Sequence, residues 1–442
     1  MKKMHLLSLG CAKNLVDSEM MLGVLELRGY EVVEDPSEAD LLLVNTCGFI
    51  RPAVEEAVDE ILRLAEYKEA DPAKKLVVTG CMVQRYGSEL QEELPEVDLF
   101  VGIDDEVRIV ELIEGLQKGG DLVLKSPSNF IVNSRVPRRL STPPFRSYLK
   151  ITEGCDNRCT YCMIPSIRGD LRSRPIDDLV AEAGALARAG VQELTLIAQD
   201  LTAYGDDLDP GTNLVALLES LLAETDIPWL RLLYLYPVST TTDLLQLMAG
   251  QPRILPYLDI PFQHVSDSVL KKMGRRYGRQ DLDDLVTRIR QYVPDCALRT
   301  TMLVGFPGET EEDVVELLDC LQRWQLDHVG VFPYEDEDGS VAAGLPGKVA
   351  EEEKQLRFQR IMELQAEISK NKLQQYVGRE EAVLVEGLSR ESDLLLEGRT
   401  GYQAPDIDGC VYINEGTANP GDIVKVRITE AHIYDLVGGI MT

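Results

Sequence analysis

The sequence predicts an α/β protein in three parts: an N-terminal open parallel α/β domain (1–125), a central partial (β/α) barrel (148–371) and a small all-β barrel (374–442), with a linker at 126–147. Three observations carry this. Continuous apolar runs alternate with helix-period stretches through the first part. The alternation resumes after a Pro- and Ser-rich break. From about residue 376 helical periodicity stops, and short runs are divided by Gly, Asn and Pro turns. A length of 442 residues suits two or three domains at roughly 100–200 residues each.

Composition narrows the class. Hydrophobic residues make up 44% and charged residues 27%, as in ordinary globular proteins, and the apolar runs fall far short of the roughly 20 residues of a membrane span. The basic start before Leu6 and Leu7 superficially resembles a signal peptide. Its apolar run is too short and lacks a cleavage pattern, so it reads as a strand and the protein as cytoplasmic, with no membrane partner. Nine cysteines are too few for a disulfide scaffold, and metal binding is their better use. Four scattered histidines disfavour a His-rich metal site. A net charge of −30 repels phosphate backbones and attracts basic proteins, although solubility or a salt-adapted host accounts for it equally well.

In the first part, runs at Leu6–Gly10, Leu41–Thr46 and Leu76–Gly80 each end in a cysteine: Cys11, Cys47 and Cys81. Helix-period stretches at Asp17–Arg28 and Val54–Glu69 separate them, giving a βαβ pattern whose strand ends share one sheet edge. Ligands of open α/β sheets bind outside that edge. Three cysteines at the same place in three units therefore suggest a three-cysteine cluster site, against the alternative of three inert core thiols. Gly10, Gly48 and Gly80 flank them and permit close backbone approach. In the linker, Arg135, Arg138, Arg139 and Arg146 offer either a phosphate contact or a solvated surface.

The second part opens with a strand at Tyr148–Ile151, followed by Gly154-Cys155-Asp156-Asn157-Arg158-Cys159-Thr160-Tyr161-Cys162-Met163. The spacing C-x3-C-x2-C gathers three thiols in one loop, and an iron–sulfur cluster with one iron left open is the natural occupant. A structural zinc knuckle is the competing reading, but zinc usually takes paired C-x2-C ligands and no second pair exists. Strands follow at Glu193–Ala198, Trp229–Tyr234, Tyr257–Ile260, Leu298–Val304 and His328–Phe332, with helices at Asp178–Ala189, Leu214–Ala223, Asp281–Val293 and Thr310–Trp324. Chemistry in such a barrel sits at the carboxyl ends of the strands. Gln199-Asp200, Pro261-Phe262-Gln263-His264 and Gly305-Phe306-Pro307-Gly308-Glu309 end successive strands and so face the cysteine loop. Gln199 and Gln263 offer neutral hydrogen bonds, and Gly305 and Gly308 admit a ligand against the backbone. Cys296, Cys320 and Cys410 stand at no ligand spacing and read as packed residues.

The cysteine loop, with Tyr161 before its last cysteine, resembles the radical S-adenosylmethionine (SAM) superfamily. The preceding three-cysteine domain resembles the N-terminal domain of the methylthiotransferases within it. The resemblance implies two 4Fe-4S clusters, one on Cys155, Cys159 and Cys162 and an auxiliary one on Cys11, Cys47 and Cys81. It also implies SAM at the open iron of the first, cleaved reductively to a 5′-deoxyadenosyl radical. Tyr161 would lie near the adenine, and Gln199, Asp200, Gln263, Gly305 and Glu309 would line the cofactor site. A low-potential electron donor of ferredoxin or flavodoxin type and a sulfur donor are implied partners.

The last part begins after an amphipathic helix at 349–375, with strand-like runs at Glu381–Val385, Leu394–Gly398, Val411–Ile413 and Ile423–Ile428. It resembles the TRAM domain, usually linked to RNA binding. From Tyr376 onward, however, five basic residues face twelve acidic ones, a net −7, so few phosphates can be neutralised and direct RNA binding is disfavoured. A basic protein fits better. Ile197–Gly205, Tyr257–His264, Pro405–Gly409 and Tyr434–Leu436 resemble the ribosomal-protein branch of the family, which modifies the β-carbon of an aspartate in a small-subunit protein (S-twelve), free or in the ribosome. The tRNA adenosine methylthiotransferases are the alternative, with Gln-Asn and Gln-Ser where this chain has Gln199-Asp200 and Gln263-His264. A non-catalytic iron–sulfur protein is a third reading, and an open iron argues against it. The acidic run Glu335–Asp338 departs from the family pattern.

Overall fold

The structure, a computed structural model, describes residues 2–116, 123–124 and 131–441. The first domain boundary at 125, the start of the linker (126–130) and both terminal residues fall outside them. The N-terminal strands are β1 (Lys2–Ser8), β2 (Tyr30–Val32), β3 (Leu41–Thr46), β4 (Lys75–Gly80), β5 (Leu99–Val101) and β6 (Val123–Leu124). They form one sheet in the order β2-β1-β3-β4-β5-β6, with every pairing parallel. All six residues of β3 are buried, because helices cover both faces of the sheet. The helix after Cys11 starts at once, Ala12–Glu26, earlier than its periodicity indicates. Its polar first turns (Lys13, Asn14, Asp17, Ser18) are buried, so no apolar stripe marks them.

The central strands are β7 (Arg146–Lys150), the short β8 (Thr152–Glu153) and β9 (Arg172–Ser173) that pair with each other, then β10 (Glu193–Ile197), β11 (Trp229–Leu232), β12 (Ile254–Asp259), β13 (Ala297–Val304) and β14 (His328–Pro333). Six of them form a parallel sheet in the order β14-β13-β12-β11-β10-β7. Because β7 and β14 do not pair, the barrel is open. Helix Thr242–Gly250, which the sequence reading omits, supplies the crossover from β11 to β12. Helix Glu351–Gln374 lies against β14 and leads to the last domain.

That domain is a closed barrel of β15 (Glu380–Leu388), β16 (Leu396–Thr400), β17 (Val411–Glu415), β18 (Ile423–Ala431) and β19 (Leu436–Ile440), in the order β15-β16-β17-β19-β18. The fifth strand escapes the sequence reading because it contains Gly438 and Gly439. A Cβ on Gly438 would stand 2.5 Å from the Arg427 carbonyl oxygen, so close pairing with β18 demands glycine there.

The three domains are joined by charged pairs, some of them buried. Glu193, at the start of β10, receives Arg231 Nε at 2.5 Å on one oxygen and Arg399 of β16 at 2.6 Å on the other. Asp406 takes the guanidinium of Arg146 through both oxygens, at 2.9 and 3.0 Å, and Asp408 accepts from the Tyr257 hydroxyl at 2.7 Å. The Pro405–Gly409 turn thus anchors the small barrel at the strand starts, away from the strand ends that carry the cysteine loop. In the linker Arg138 pairs with Glu19 at 2.6 Å and Glu182 at 2.7 Å, one carboxylate from each flanking domain. Arg139 pairs with Glu26 and Arg146 with Asp406, so three of the four linker arginines are occupied by carboxylates. The acidic run is also a strut. Glu337 is buried, accepts from the Arg51 backbone N–H at 2.7 Å and pairs with Arg85 at 2.9 Å, tying the central domain's rim to the first domain.

Candidate functional site

Both cysteine triads open onto one cavity of about 330 Å³, walled by Cys11, Cys47 and Cys81 on one side and Cys155, Cys159 and Cys162 on the other. The first triad converges because its loops are packed backbone to backbone. A Cβ on Gly10, which sits at φ +91°, would lie 2.8 Å from Cys47 Cβ, and one on Gly48 would lie 2.6 Å from the Cys81 carbonyl carbon. These glycines therefore let the cysteine loops approach one another, a nearer reason than approach to an inorganic centre. Asn14, one turn after Cys11, clamps the same loops. Its Nδ2 donates to the Thr46 carbonyl at 2.9 Å, and its Oδ1 accepts from Arg168 at 2.7 Å.

Arg168 is buried and also donates to Cys81 Sγ at 3.4 Å, to Glu153 at 2.8 Å and to Asp17 at 3.1 Å. Lys150 completes a buried network with Glu153, at 2.8 Å, and Asp17. Residues of the first and central domains so share one set of charges directly behind Cys81. Burial pushes the Cys81 thiol up to about 12, against the pull of Arg168. It raises Cys47 as well. At Cys11 burial is outweighed by Lys13 and Arg168, and that thiol is lowered.

In the second triad Arg275 donates to Cys159 Sγ at 3.3 Å, and the Ile164 backbone N–H lies 3.5 Å from Cys162 Sγ. Arg275 is held in turn by the Pro261 carbonyl at 2.8 Å and the Tyr277 hydroxyl at 2.6 Å. Burial raises Cys155, and raises Cys162 to about 12. A metal that binds these sulfurs must displace their protons, so its binding would release protons.

Of the predicted cofactor residues, Tyr161, Gln199, Asp200 and Gln263 line the cavity. Tyr161 packs edge-on against Phe306, ring centroids 6.4 Å apart. Asp200 accepts from Asn157 of the cysteine loop at 2.7 Å, joining the end of β10 to that loop. Gln263 holds a left-handed backbone, φ 68°. Gly305 and Glu309 are not part of the cavity wall. Glu309 turns inward, accepting from the Gly305 and Phe306 amides at 2.8 and 3.2 Å and from Arg357 at 2.8 Å, so its carboxylate is consumed by its own loop and by helix Glu351–Gln374. His264 is buried, its Nδ1 accepting from the Ser266 amide at 3.0 Å. Sequence reasoning missed Lys13, Asn14, Arg168 and Arg275. The first two sit within three residues of Cys11 and were within reach. Arg168 and Arg275 carry no local signal, since only folding brings them to the sulfurs.

The donor set fits two iron–sulfur clusters. All six thiols are free, N–H groups point at Cys81, Cys159 and Cys162, and Gln199 Nε2 at the cavity wall is buried with no partner among the described residues. Among the described residues no three His, Cys, Asp or Glu side chains close on a single metal ion; a cubane spreads its thiolates over separate irons.

Comparison with known proteins agrees with this division. Residues 3–102 match the model of uncharacterized protein family UPF0004, residues 149–321 the radical SAM superfamily, and residues 377–441 the TRAM domain. The ribosomal protein uS12 methylthiotransferase RimO of Desulfotalea psychrophila is 58% identical, covering 100% of this chain and 99% of its own length. RimO of Citrifermentans bemidjiense is 49% identical, covering 100% and 98%. Among solved structures, the radical SAM methyltransferase TsrM of Kitasatospora setae, with cobalamin and a [4Fe-4S] cluster bound, superposes with a TM-score of 0.57 at 17% identity, over 86% of this chain and 81% of that one. That likeness is one of fold.

Proposed function

This chain belongs to the RimO family of ribosomal protein uS12 methylthiotransferases, which are radical SAM enzymes, and from that premise we propose a division of labour among its residues. The enzyme transfers a methylthio group to uS12, with the β-carbon of an aspartate as acceptor. Cys155, Cys159 and Cys162 hold the 4Fe-4S cluster that binds SAM, and Cys11, Cys47 and Cys81 hold the auxiliary 4Fe-4S cluster that delivers sulfur. When bound, these groups supply one-electron cleavage of SAM and a sulfur nucleophile.

The protein's own side chains do the rest. Arg275 and the Ile164 amide steady the sulfurs of Cys159 and Cys162, and Arg168 steadies that of Cys81. Hydrogen bonds to cluster sulfurs tune reduction potential, so these donors favour the reduced, more negative state. Tyr161, Gln199, Asp200 and Gln263 orient SAM against the first cluster. The single observation that supports this reading best is the shared cavity, which puts both triads within reach of one small acceptor.

The domains divide at 1–125, 148–371 and 374–442, with the linker between the first two. A low-potential ferredoxin or flavodoxin supplies electrons, and a separate donor supplies sulfur. A ribosomal-protein substrate supports a cytoplasmic enzyme, and no helix of the described residues is long and apolar enough to cross a membrane. Of the barrel's five cations, Arg399 is buried on Glu193 and Arg427 is paired with Glu380, which further weakens any RNA-binding face. Mass spectrometry of small-subunit proteins from a deletion strain tests the function. Loss of the methylthio mark from uS12 is expected; its retention refutes the reading, and loss of methylthioadenosine from tRNA instead would select a nucleic-acid substrate.

A further inference from the structure

Lys13 is a cation of the cavity wall with no carboxylate partner. It is 6% exposed, yet no Asp or Glu of the described residues lies within ion-pairing distance. Its ammonium donates to the Ala198 carbonyl at 3.2 Å and rests 3.9 Å above the Tyr234 ring. Arg168, by contrast, is neutralised by Glu153 and Asp17. Arg275 is occupied by the Cys159 sulfur, the Tyr277 hydroxyl and the Pro261 carbonyl.

The shelf beneath Lys13 is itself built. Tyr234 is held at φ 65°, a region a non-glycine residue adopts only at a cost. Its amide donates to Asp259 at 3.3 Å and its carbonyl accepts from Leu201 at 2.8 Å, and these bonds lock the ring under the ammonium. An ammonium has three donors. One carbonyl and one ring face leave part of that capacity directed at the cavity, and a buried charge so incompletely paired is costly unless an anion joins it.

We propose that Lys13 is the carboxylate-recognition residue of the substrate site. Its ammonium takes a carboxylate oxygen of the acceptor aspartate and holds the neighbouring β-carbon between the two triads. This rests on the reading that an aspartate of uS12 is the acceptor. The same ammonium sets specificity, because a neutral nucleobase or an asparagine can at most accept a hydrogen bond and leaves its charge uncompensated. The competing role is electrostatic support of the Cys11 and Cys81 thiolates, both of which attract Lys13.

The test uses the reconstituted full chain with two acceptors, uS12 and uS12 carrying asparagine at the modified position. Affinity is read by fluorescence anisotropy, and iron is measured in every sample. The wild type should bind the aspartate form about 10- to 100-fold more tightly, as expected of a buried charge-assisted hydrogen bond. In Lys13→Met that preference should fall to near unity with iron retained, and Lys13→Arg should restore part of it. A wild type indifferent to the exchange overturns the proposal without any variant. So does a Lys13→Met protein that keeps the preference, or loss of iron in both variants, which would assign Lys13 to the cluster. Failure of the wild type to methylthiolate the aspartate at all would instead remove the underlying reading.

Discussion

Replacing Arg399 with Met should release the small barrel from the central domain without unfolding either. Glu193 is fully buried: Arg231 serves one oxygen at 2.5 Å, with Arg399 farther away at 3.4 Å, while Arg399 alone serves the other, at 2.6 Å. Removing Arg399 strands half of a buried carboxylate and also frees Glu386 and the Gln403 carbonyl. Breaking a buried ion pair by deleting one partner costs about 3–5 kcal/mol. Arg231 remains in place, so the lower end, about 3 kcal/mol, applies here. That corresponds to a rise of about 100-fold in the undocked population. Limited proteolysis under conditions where cleavage is slow reads this population. Cleavage within 401–409 should accelerate about 100-fold, while sites on the exposed face of the first domain keep their wild-type rates. In a Glu193→Gln background the same substitution should cost much less, because no charge is left stranded. Acceleration under about fivefold, or equal acceleration at every site, would refute the reasoning that this pair docks the barrel.

Other outcomes follow from the same geometry. Anaerobic reconstitution should give roughly eight irons per chain, falling to roughly four in Cys47→Ala; four in the wild type, unchanged by the substitution, would remove the N-terminal site. Gly48→Ala places a methyl 2.6 Å from the Cys81 carbonyl carbon, so iron should fall by about half while circular dichroism keeps the wild-type helix signal. Burial works against the Glu193 carboxyl but is outweighed by Arg399 and then Arg231, which hold it down from 4.5 to about 2. The docking it supports is therefore complete above pH 4.5 and lost as pH falls through about 2; cleavage at 401–409 with an acid-active protease should stay slow at intermediate acid pH, and early release near pH 4.5 would contradict the assignment. Filter binding to RNA should show a weak salt dependence, with a log–log slope of magnitude under about 3; a steep slope would restore RNA as a partner.

Much of the site was legible because its ligands are chemically conspicuous. Cys155, Cys159 and Cys162 are close in sequence, and a short loop is enough to gather them. Cys11, Cys47 and Cys81 were legible through the βαβ rhythm, since parallel strands deliver their carboxyl ends to one edge whatever lies between. The groups that steady these sulfurs were not legible. Arg168 carries no signal in its local sequence, and only folding buries it against Asp17, Glu153 and Cys81. Glu309 reads as a site carboxylate because it ends a strand, yet Arg357 from a helix 48 residues onward turns it away from the cavity.

The sequence by itself determined the three-part architecture, both thiol triads and an acidic C-terminal barrel, because periodicity, spacing and net charge are local or additive properties. Only the tertiary structure decided that the triads share one cavity, that the Pro405–Gly409 turn anchors the barrel at the strand starts, and that Lys13 alone among the cavity's basic residues described above is left without a ring of partners. Those facts depend on contacts between residues far apart in the chain. Their strength comes from burial, which folding creates and which no stretch of sequence possesses alone.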